Sequence, residues 1–544
     1  MKNCKNCSAK FPVDDEDLKF YEKVSPVFNG KKYNFPEPTH CPSCRQQRRY
    51  SMQNLRNLYK RQCDFTKKTI ISNFSPDKPY KVYDQEIWWS DKWDPLEYGR
   101  DYDFARPFFE QFKELVLDVP QLCLQTNYLL DENSDYTNYA GSDKNCYMIF
   151  HADYNRDCYY GYGIKKCESS IDNYNLFNSE LCYECIDCHK CYNLYYSQDC
   201  TSCSDSYFLK DCIGCKNCIG CKNLHQKEYY IFNKKHSKEE YEQFLKDLDL
   251  SSQEKVEEFK KKVADFYLTQ PERFLKMYKT ENSFGNNLHN CKNVKFCYDI
   301  EDMFDGKYCC QLYNGAKDCM DVDQFGLKIE RVYEGSVIGY NCTSISFCHM
   351  CNEEVYDLLY SMDCYHSSNL FGCTGVRHKK YCILNKQYTK EEYEEIMPKI
   401  IEHMKEAGEW GEFFPIELSP QAYNETHAQD YYPLKKEQAL EKGYKWKEKD
   451  PKEYQKPHDD ILACKDCGKN YKIIQQELDF YKKQGIAVPA KCPDCRHYDR
   501  FNKRQPRSLW DRKCDKCQAQ IFTTYSPERP EKVYCEACYL NVLE

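Results

Sequence analysis

The sequence predicts a mainly β protein: a Cys-lined right-handed β-solenoid in two repeated halves joined by helices, with small paired-cysteine modules at both ends. Three observations predict it. Between Cys182 and Cys221 the offsets 182→203, 191→212 and 200→221 are all 21 residues, and Cys146, Cys167 and Cys188 take the same step twice. Residues 146–233 and 297–385 repeat one another at an offset of 151 or 152. This matches Cys146, Cys158, Cys191, Cys200, Cys212 and Cys221 with Cys297, Cys309, Cys342, Cys351, Cys364 and Cys373. Cys-x-x-Cys pairs close off both ends of the chain. A fixed period of this length marks a stacked repeat, whose units bury their faces only against neighbours.

Composition sets the outer limits. A chain of 544 residues holds several domains, since single cores stop growing near about 250–300 residues. Its 78 Lys and Arg against 86 Asp and Glu give a net charge of -8, a mixed balance rather than an acidic or basic tail. Met1 leads straight into KNCKNC, and no apolar stretch suits a signal or a membrane span. A cytoplasmic, reducing setting without membrane contact is expected. There, 38 cysteines act as ligands or buried thiols more often than as disulfides.

The end modules carry the chemistry. Cys4 and Cys7 with Cys41 and Cys44 supply four thiolates, the tetrahedral set that Zn²⁺ takes. Cys464, Cys467, Cys492 and Cys495 repeat the set, with LKFY at 18–21 answering LDFY at 478–481 and Cys-Pro-x-Cys-Arg closing both. Each pair is expected on a tight knuckle whose amides accept thiolate charge. Residues 507–538 hold a third set, Cys514, Cys517, Cys535 and Cys538. They align with 56–87, where Cys63 remains but Thr66, Asp84 and Ile87 replace the other three. Three Zn²⁺ sites are expected, and a fourth unit that kept its fold and lost its metal.

The pattern CKDCG…FY…GI…P-x-KCPDCR resembles a probable zinc-binding ribbon or treble-clef family. Together with TTYSPERPEKVYCEACY, the layout is similar to uncharacterised bacterial Cys-rich proteins with such domains at their ends. The ribbon resemblance spans about the first 45 and last 80 residues. It implies zinc binding and no established activity.

The domain plan follows in order: zinc ribbon 1–55, degenerate ribbon-like unit 56–92, aromatic docking segment 93–126 and solenoid half 127–236. A helical connector 237–281, the second half 282–388, a helix 389–411, a linker 412–460 and two ribbons, 461–505 and 506–544, complete it. Phe108 to Asp118 reads as a short amphipathic helix. Ser237-Lys-Glu-Glu240 and Thr389-Lys-Glu-Glu392 are capping boxes that open helices.

The 24 cysteines between 146 and 382 allow two readings. Cys182, Cys185, Cys188 and Cys191, with His189 and His349 each beside a cysteine, suit an iron–sulfur cluster or further metal. Alternatively the thiols stack inside the coils as small apolar residues. Leu194 one step before Cys215, and Leu370 opposite Cys218, favour stacking, because a ligand replaced by leucine leaves a thiolate set unbalanced. Each half then holds about four coils of 21–23 residues. A three-residue spacing inside the step conflicts with the period of two that strands impose.

Arg45, Arg48, Arg49 and Arg56 follow the first Cys-Pro-x-Cys, and Arg496, Arg500, Arg504 and Arg507 the second, with aromatics between them. Such clusters suit nucleic-acid backbones as well as a plain solvated face. The function expected is a non-enzymatic zinc-binding scaffold with a protein or nucleic-acid partner. The alternative is a β-helix carbohydrate-active enzyme, for which Asp299, Glu301, Asp302, Asp305, Asp318, Asp321 and Asp323 are the candidate acids. No catalytic triad, phosphate loop or His-Glu-x-x-His motif occurs.

Overall fold

The computed structural model describes residues 1–543 except 314, 327, 328, 340, 456, 458 and 459. It is mostly strand, with parallel sheets in the middle of the chain, twelve α-helices among the described residues, and Cys-cluster modules near both ends. The chain divides into two compact units, each assembled from distant segments: 1–123 with 275–447, and 124–274 with 448–544.

In the unit built from 124–274 and 448–544, the repeats form a ladder in which each residue pairs in parallel with the one 12 positions on. Thr137 pairs with Ile149, Phe150 with Tyr162, Tyr162 with Tyr174 and Tyr174 with Ile186. Six residues earlier in register than Phe150, Lys144 lies on a second line of Glu132, Lys144, Arg156, Glu168, Glu180 and Tyr192. Tyr147 to Tyr195 forms another, and Ile186, Gln198, Lys210 and Lys222 extend the first. The chain thus returns to itself every 12 residues, with a corner every third.

Those corners are left-handed. Asn145, Met148, His151, Tyr154, Asp157 and Tyr160 have φ between 51° and 60°, and the pattern continues down the ladder. Asn and Asp tolerate this region best, since their short side chains bond locally. Here they also bond between rungs: Asn145 donates to Asp157 at 3.1 Å, Asn175 to Asp187 at 2.9 Å and Asn193 to Asp205 at 3.0 Å. The three-residue spacing is therefore a corner period, and strand alternation never has room to develop.

This corrects the expected rung of 21–23 residues. Inward positions recur at every third residue, and both 21 and 12 are multiples of three. A step of 21 keeps a cysteine inward while carrying it one rung and three sides further. In the unit holding 275–388 the register step is less uniform. It is 11 at Met277↔Leu288, 12 at Tyr298↔Cys310 and 13 at Thr343↔Tyr356.

All 24 cysteines between 146 and 382 are buried and free, among them the Cys182–Cys221 run. The interior explains their number. Each corner leaves a carbonyl near the inward side chain two residues later, and buried carbonyls need donors. Cys188 donates its thiol to Ile186 O at 3.3 Å, and Ser206 donates to Ser204 O at 2.7 Å. The same side chains accept from the next rung. Cys218 N bonds Ser206 Oγ at 3.0 Å, and Cys309 N bonds Cys297 Sγ at 3.2 Å. A small group that both packs and hydrogen-bonds suits the site better than valine.

The flanking elements match the sequence closely. The helix Phe108–Asp118 spans the expected residues and buries Phe108 and Phe112, with Phe108 against Phe371. Both capping boxes form, at Ser237 before Lys238–Leu248 and at Thr389 before Lys390–Glu406. Strand structure resumes at Met277–Glu281, inside the segment expected to be connector. Residues of the expected linker pack as well: Tyr423, Ala428, Ala439 and Tyr444 form a small core with Tyr50.

Candidate metal centres

The N-terminal module begins with a hairpin, Lys2–Asn3 against Lys10–Phe11, whose turn carries Cys4 and Cys7. The second pair sits differently. Pro42–Tyr50 is a helix with Cys41 at its N-cap and Pro42 in its first turn. The module at 461–505 repeats this, with the hairpin Ile461–Ala463 and Asn470–Lys472 followed by the helix Pro493–Phe501, capped by Cys492. In the last module, Trp510–Lys513 and Gln520–Thr523 flank the knuckle, and Glu536–Leu543 follows Cys535. The sequence reading of a knuckle at each pair is therefore corrected. Only the first pair lies on a knuckle; the second opens a helix, where proline is favoured and the dipole supports thiolate. The proline of Cys-Pro-x-Cys was the readable signal.

Each module gathers its four sulfurs. In Cys4/Cys7/Cys41/Cys44, Cys464/Cys467/Cys492/Cys495 and Cys514/Cys517/Cys535/Cys538 the Sγ atoms all lie within 4.8 Å of one another. The separations Cys7–Cys41 of 3.8 Å, Cys467–Cys492 of 3.7 Å and Cys517–Cys535 of 3.7 Å are far beyond a disulfide. They fit the edge of a sulfur tetrahedron around a metal about 2.3 Å from each thiolate. Among the described residues these are the three groups of this kind, and none involves the ladder cysteines, His189 or His349.

Backbone and side-chain amides bond several of these sulfurs and lower the first thiol of each set, whereas Cys7, Cys44, Cys492, Cys495, Cys535 and Cys538 are raised. Cys41 N bonds Cys4 Sγ at 3.3 Å, Cys535 N bonds Cys514 Sγ at 3.3 Å, and Asn6 Nδ2 bonds Cys44 Sγ at 3.3 Å. Burial works to raise the thiol of Cys464, but amides of Cys467, Cys492 and Asp466 outweigh it and bring it to about 6. Cys514 behaves alike, at about 6, and Cys4 is also lowered against its burial. The first cysteine of each set is buried, whereas Cys7, Cys467 and Cys517 are exposed. Four thiolates close the coordination sphere and leave no position for a substrate, the arrangement of structural sites.

The degenerate unit keeps the same frame with one of the four sulfurs, that of Cys63. Cys63 Sγ accepts from Thr66 N and Asp84 N at 3.4 Å each, and Thr66 Oγ1 donates to Asp84 Oδ2 at 3.0 Å. Asp84 also caps the helix Gln85–Trp88 through Ile87 N. Asp64 Oδ2 accepts from Val82 N at 2.7 Å, as Asp515 Oδ2 accepts from Val533 N at 2.6 Å. Hydrogen bonds stand where the metal bonds would be.

Half of the arginines expected to meet nucleic acid turn inward. Arg45 and Arg49 lie four apart on one helix face, both essentially unexposed. Arg45 pairs with Asp321 at 2.7 Å and Arg49 with Asp323 at 2.6 Å. Arg496 pairs with Asp172 and Glu477 at 2.8 Å each, and Arg500 with Asp172 at 3.0 Å. Arg48 is held by Glu334 at 2.7 Å. Arg504 lies half-buried over the Phe501 ring, 4.0 Å from its centroid, and Arg56 and Arg507 are half-buried too. Arg45, Arg49, Arg496 and Arg500 are thereby withdrawn from phosphate contact: burying a guanidinium requires a carboxylate partner, and the ladder supplies it. The identical four-residue spacing in both modules was the available hint.

The acidic candidates scatter likewise. Asp321 and Asp323 serve these arginines, Asp299 and Asp305 accept from corner Asn287 and Asn293, and Asp318 meets Lys23 and Arg331.

Residues 458–504 match a family described as a probable treble clef domain. No curated protein and no solved structure matches the chain. The match covers one module, and its cysteines 464, 467, 492 and 495 are one of the three clusters, so metal binding stands on both sequence family and geometry. Among the described residues no helix is long and apolar enough to cross a membrane.

Proposed function

We propose that this chain is a non-enzymatic zinc protein of a reducing, cytoplasmic setting, acting as a binding scaffold. Three Zn²⁺ ions, one per cluster, hold the treble-clef modules in shape, and each repeat half is a four-sided solenoid, with 12-residue coils in the first half and coils of 11 to 13 in the second. The observation that carries this reading is the closed set of four thiolates in each cluster, which offers structure and no open coordination site. The helix bearing the second cysteine pair also carries the arginines sunk in the ladder carboxylates, so metal binding and packing of the ladder support one another. Nucleic-acid contact, in this reading, rests on Arg56, Arg504 and Arg507 rather than on the buried four.

Elemental analysis of reduced protein tests the metal. Three zinc per chain is expected. Six or more metal ions, or bound iron, would replace this reading with a metal-loaded ladder. Salt-sensitive retention of RNA, lost on reversing Arg56, Arg504 and Arg507 to Glu, tests the partner.

A further inference from the structure

One corner of the ladder in the unit holding 275–447 gathers imidazoles and carboxylates on consecutive rungs. The register there steps by 13 residues at His349↔Met362 and Asn352↔Tyr365, and by 12 at Met362↔Thr374 and Tyr365↔Arg377. The extra residue falls at the corner after Asn352, where Glu353 and Glu354 both take left-handed φ, 60° and 54°. The next two rungs turn on single residues, His366 and His378, at φ 48° and 54°. His366 N donates to Glu353 O at 2.8 Å, so the backbone fixes the order Glu, His, His along the corner.

The side chains follow that order. Glu353 Oε2 lies 3.1 Å from His366 Nε2, and Glu354 Oε2 lies 3.9 Å from His366 Nδ1. The His366 and His378 rings are parallel within 1°, with centroids 4.8 Å apart. Glu354 and His378 are exposed, and Glu353 and His366 are half-exposed. Ion pairs this open add little stability, so packing gives little reason for the cluster. Imidazole with carboxylate is the ligand set of borderline divalent ions, bound at about 2.0–2.2 Å. Two ligand atoms at that distance from one ion sit roughly 3 Å apart, as Glu353 and His366 already do. His378 reaches the same ion by turning its exposed ring towards His366.

We propose that Glu353, His366 and His378 form a fourth, exchangeable site for a divalent ion such as Zn²⁺. Three ligands leave one coordination position open to water, in contrast to the closed thiolate sets. No cysteine takes part, so the site is separable from the structural clusters.

Calorimetric titration with Zn²⁺ of the full chain, its thiolate clusters already loaded with zinc, tests the site. One further ion per chain should bind saturably, and Mg²⁺, which prefers oxygen ligands, should not displace it. His366→Ala and His378→Ala should each weaken this ion at least tenfold, while cluster zinc content and melting temperature stay unchanged. Absence of a further saturable ion at submillimolar Zn²⁺, or parental affinity in both histidine variants, would overturn the proposal. So would a further ion that survives loss of both histidines and disappears in Glu353→Gln/Glu354→Gln, since that ion needs carboxylates alone.

Discussion

Arg496 Nη1 lies 2.8 Å from Asp172 Oδ2, and at the same place after the other Cys-Pro-x-Cys, Arg45 Nε lies 2.7 Å from Asp321 Oδ2. All four groups are buried, at 4% exposure or less. The helix after each Cys-Pro-x-Cys thus plugs its guanidinium into a carboxylate of the ladder within its own unit. Arg496 further stacks over Tyr160, 4.7 Å from the ring centroid.

Removing one partner strands the other. Arg496→Ala should destabilise the unit by about 3–5 kcal/mol, because buried Glu477 loses its arginine and Asp172 is left with Arg500 alone. The double variant Arg496→Met/Asp172→Leu should recover none of that loss, because it leaves Arg500 and Glu477 buried without an ion-pair partner. Denaturant titration followed by tyrosine fluorescence reads both. A surface arginine used for nucleic acid would instead leave stability within about 0.5 kcal/mol.

The degenerate module is one substitution set away from a metal site. Thr66→Cys, Asp84→Cys and Ile87→Cys together place four thiols on a frame whose amides already point at Cys63 Sγ. The triple variant should bind four metal ions where the parent binds three, measured by elemental analysis. An unchanged count would mean that the unit's backbone has moved away from the geometry of the four-cysteine modules.

Ser206 tests why the ladder favours hydrogen-bonding interiors. Its hydroxyl donates to Ser204 O at 2.7 Å and accepts from Cys218 N at 3.0 Å. Ser206→Ala leaves the buried Cys218 N without its acceptor and removes a donor from the partly buried Ser204 O, and should cost about 1–3 kcal/mol. Ser206→Cys, which retains weak versions of both bonds, should cost less. The order of the two variants in thermal melting is the observable.

Asp143 should make stability depend on pH. Burial raises its carboxyl to about 7, although Asn155 donates two hydrogen bonds to it, and Asp131 and Asp153 nearby push in the same direction as burial. A carboxyl raised in the folded state favours folding when protonated. Its contribution is complete below the unfolded value near pH 4 and is lost as pH rises through about 7. Asp143→Asn, which preserves the acceptor oxygen, should match the parent at pH 4. It should exceed the parent at pH 8, by on the order of 4 kcal/mol at most. Melting curves across that window check the sign.

The sequence alone determined the metal chemistry and the duplication. Cys-x-x-Cys pairs need only local turns to set two sulfurs, so spacing reveals them, and the loss of Cys at 66, 84 and 87 is legible for the same reason. Capping boxes at Ser237 and Thr389 and the helix at Phe108–Asp118 were likewise local. Tertiary structure alone decided the rung length and the fate of the arginines. Every multiple of three keeps a residue inward, so cysteine spacing cannot separate 12 from 21, whereas the register Thr137↔Ile149 does. Arg45 and Arg496 read as surface charge until Asp321 and Asp172, some 276 and 324 residues away in the chain, arrive to neutralise them. A buried charge is a statement about its partner, and no local pattern names a partner that distant.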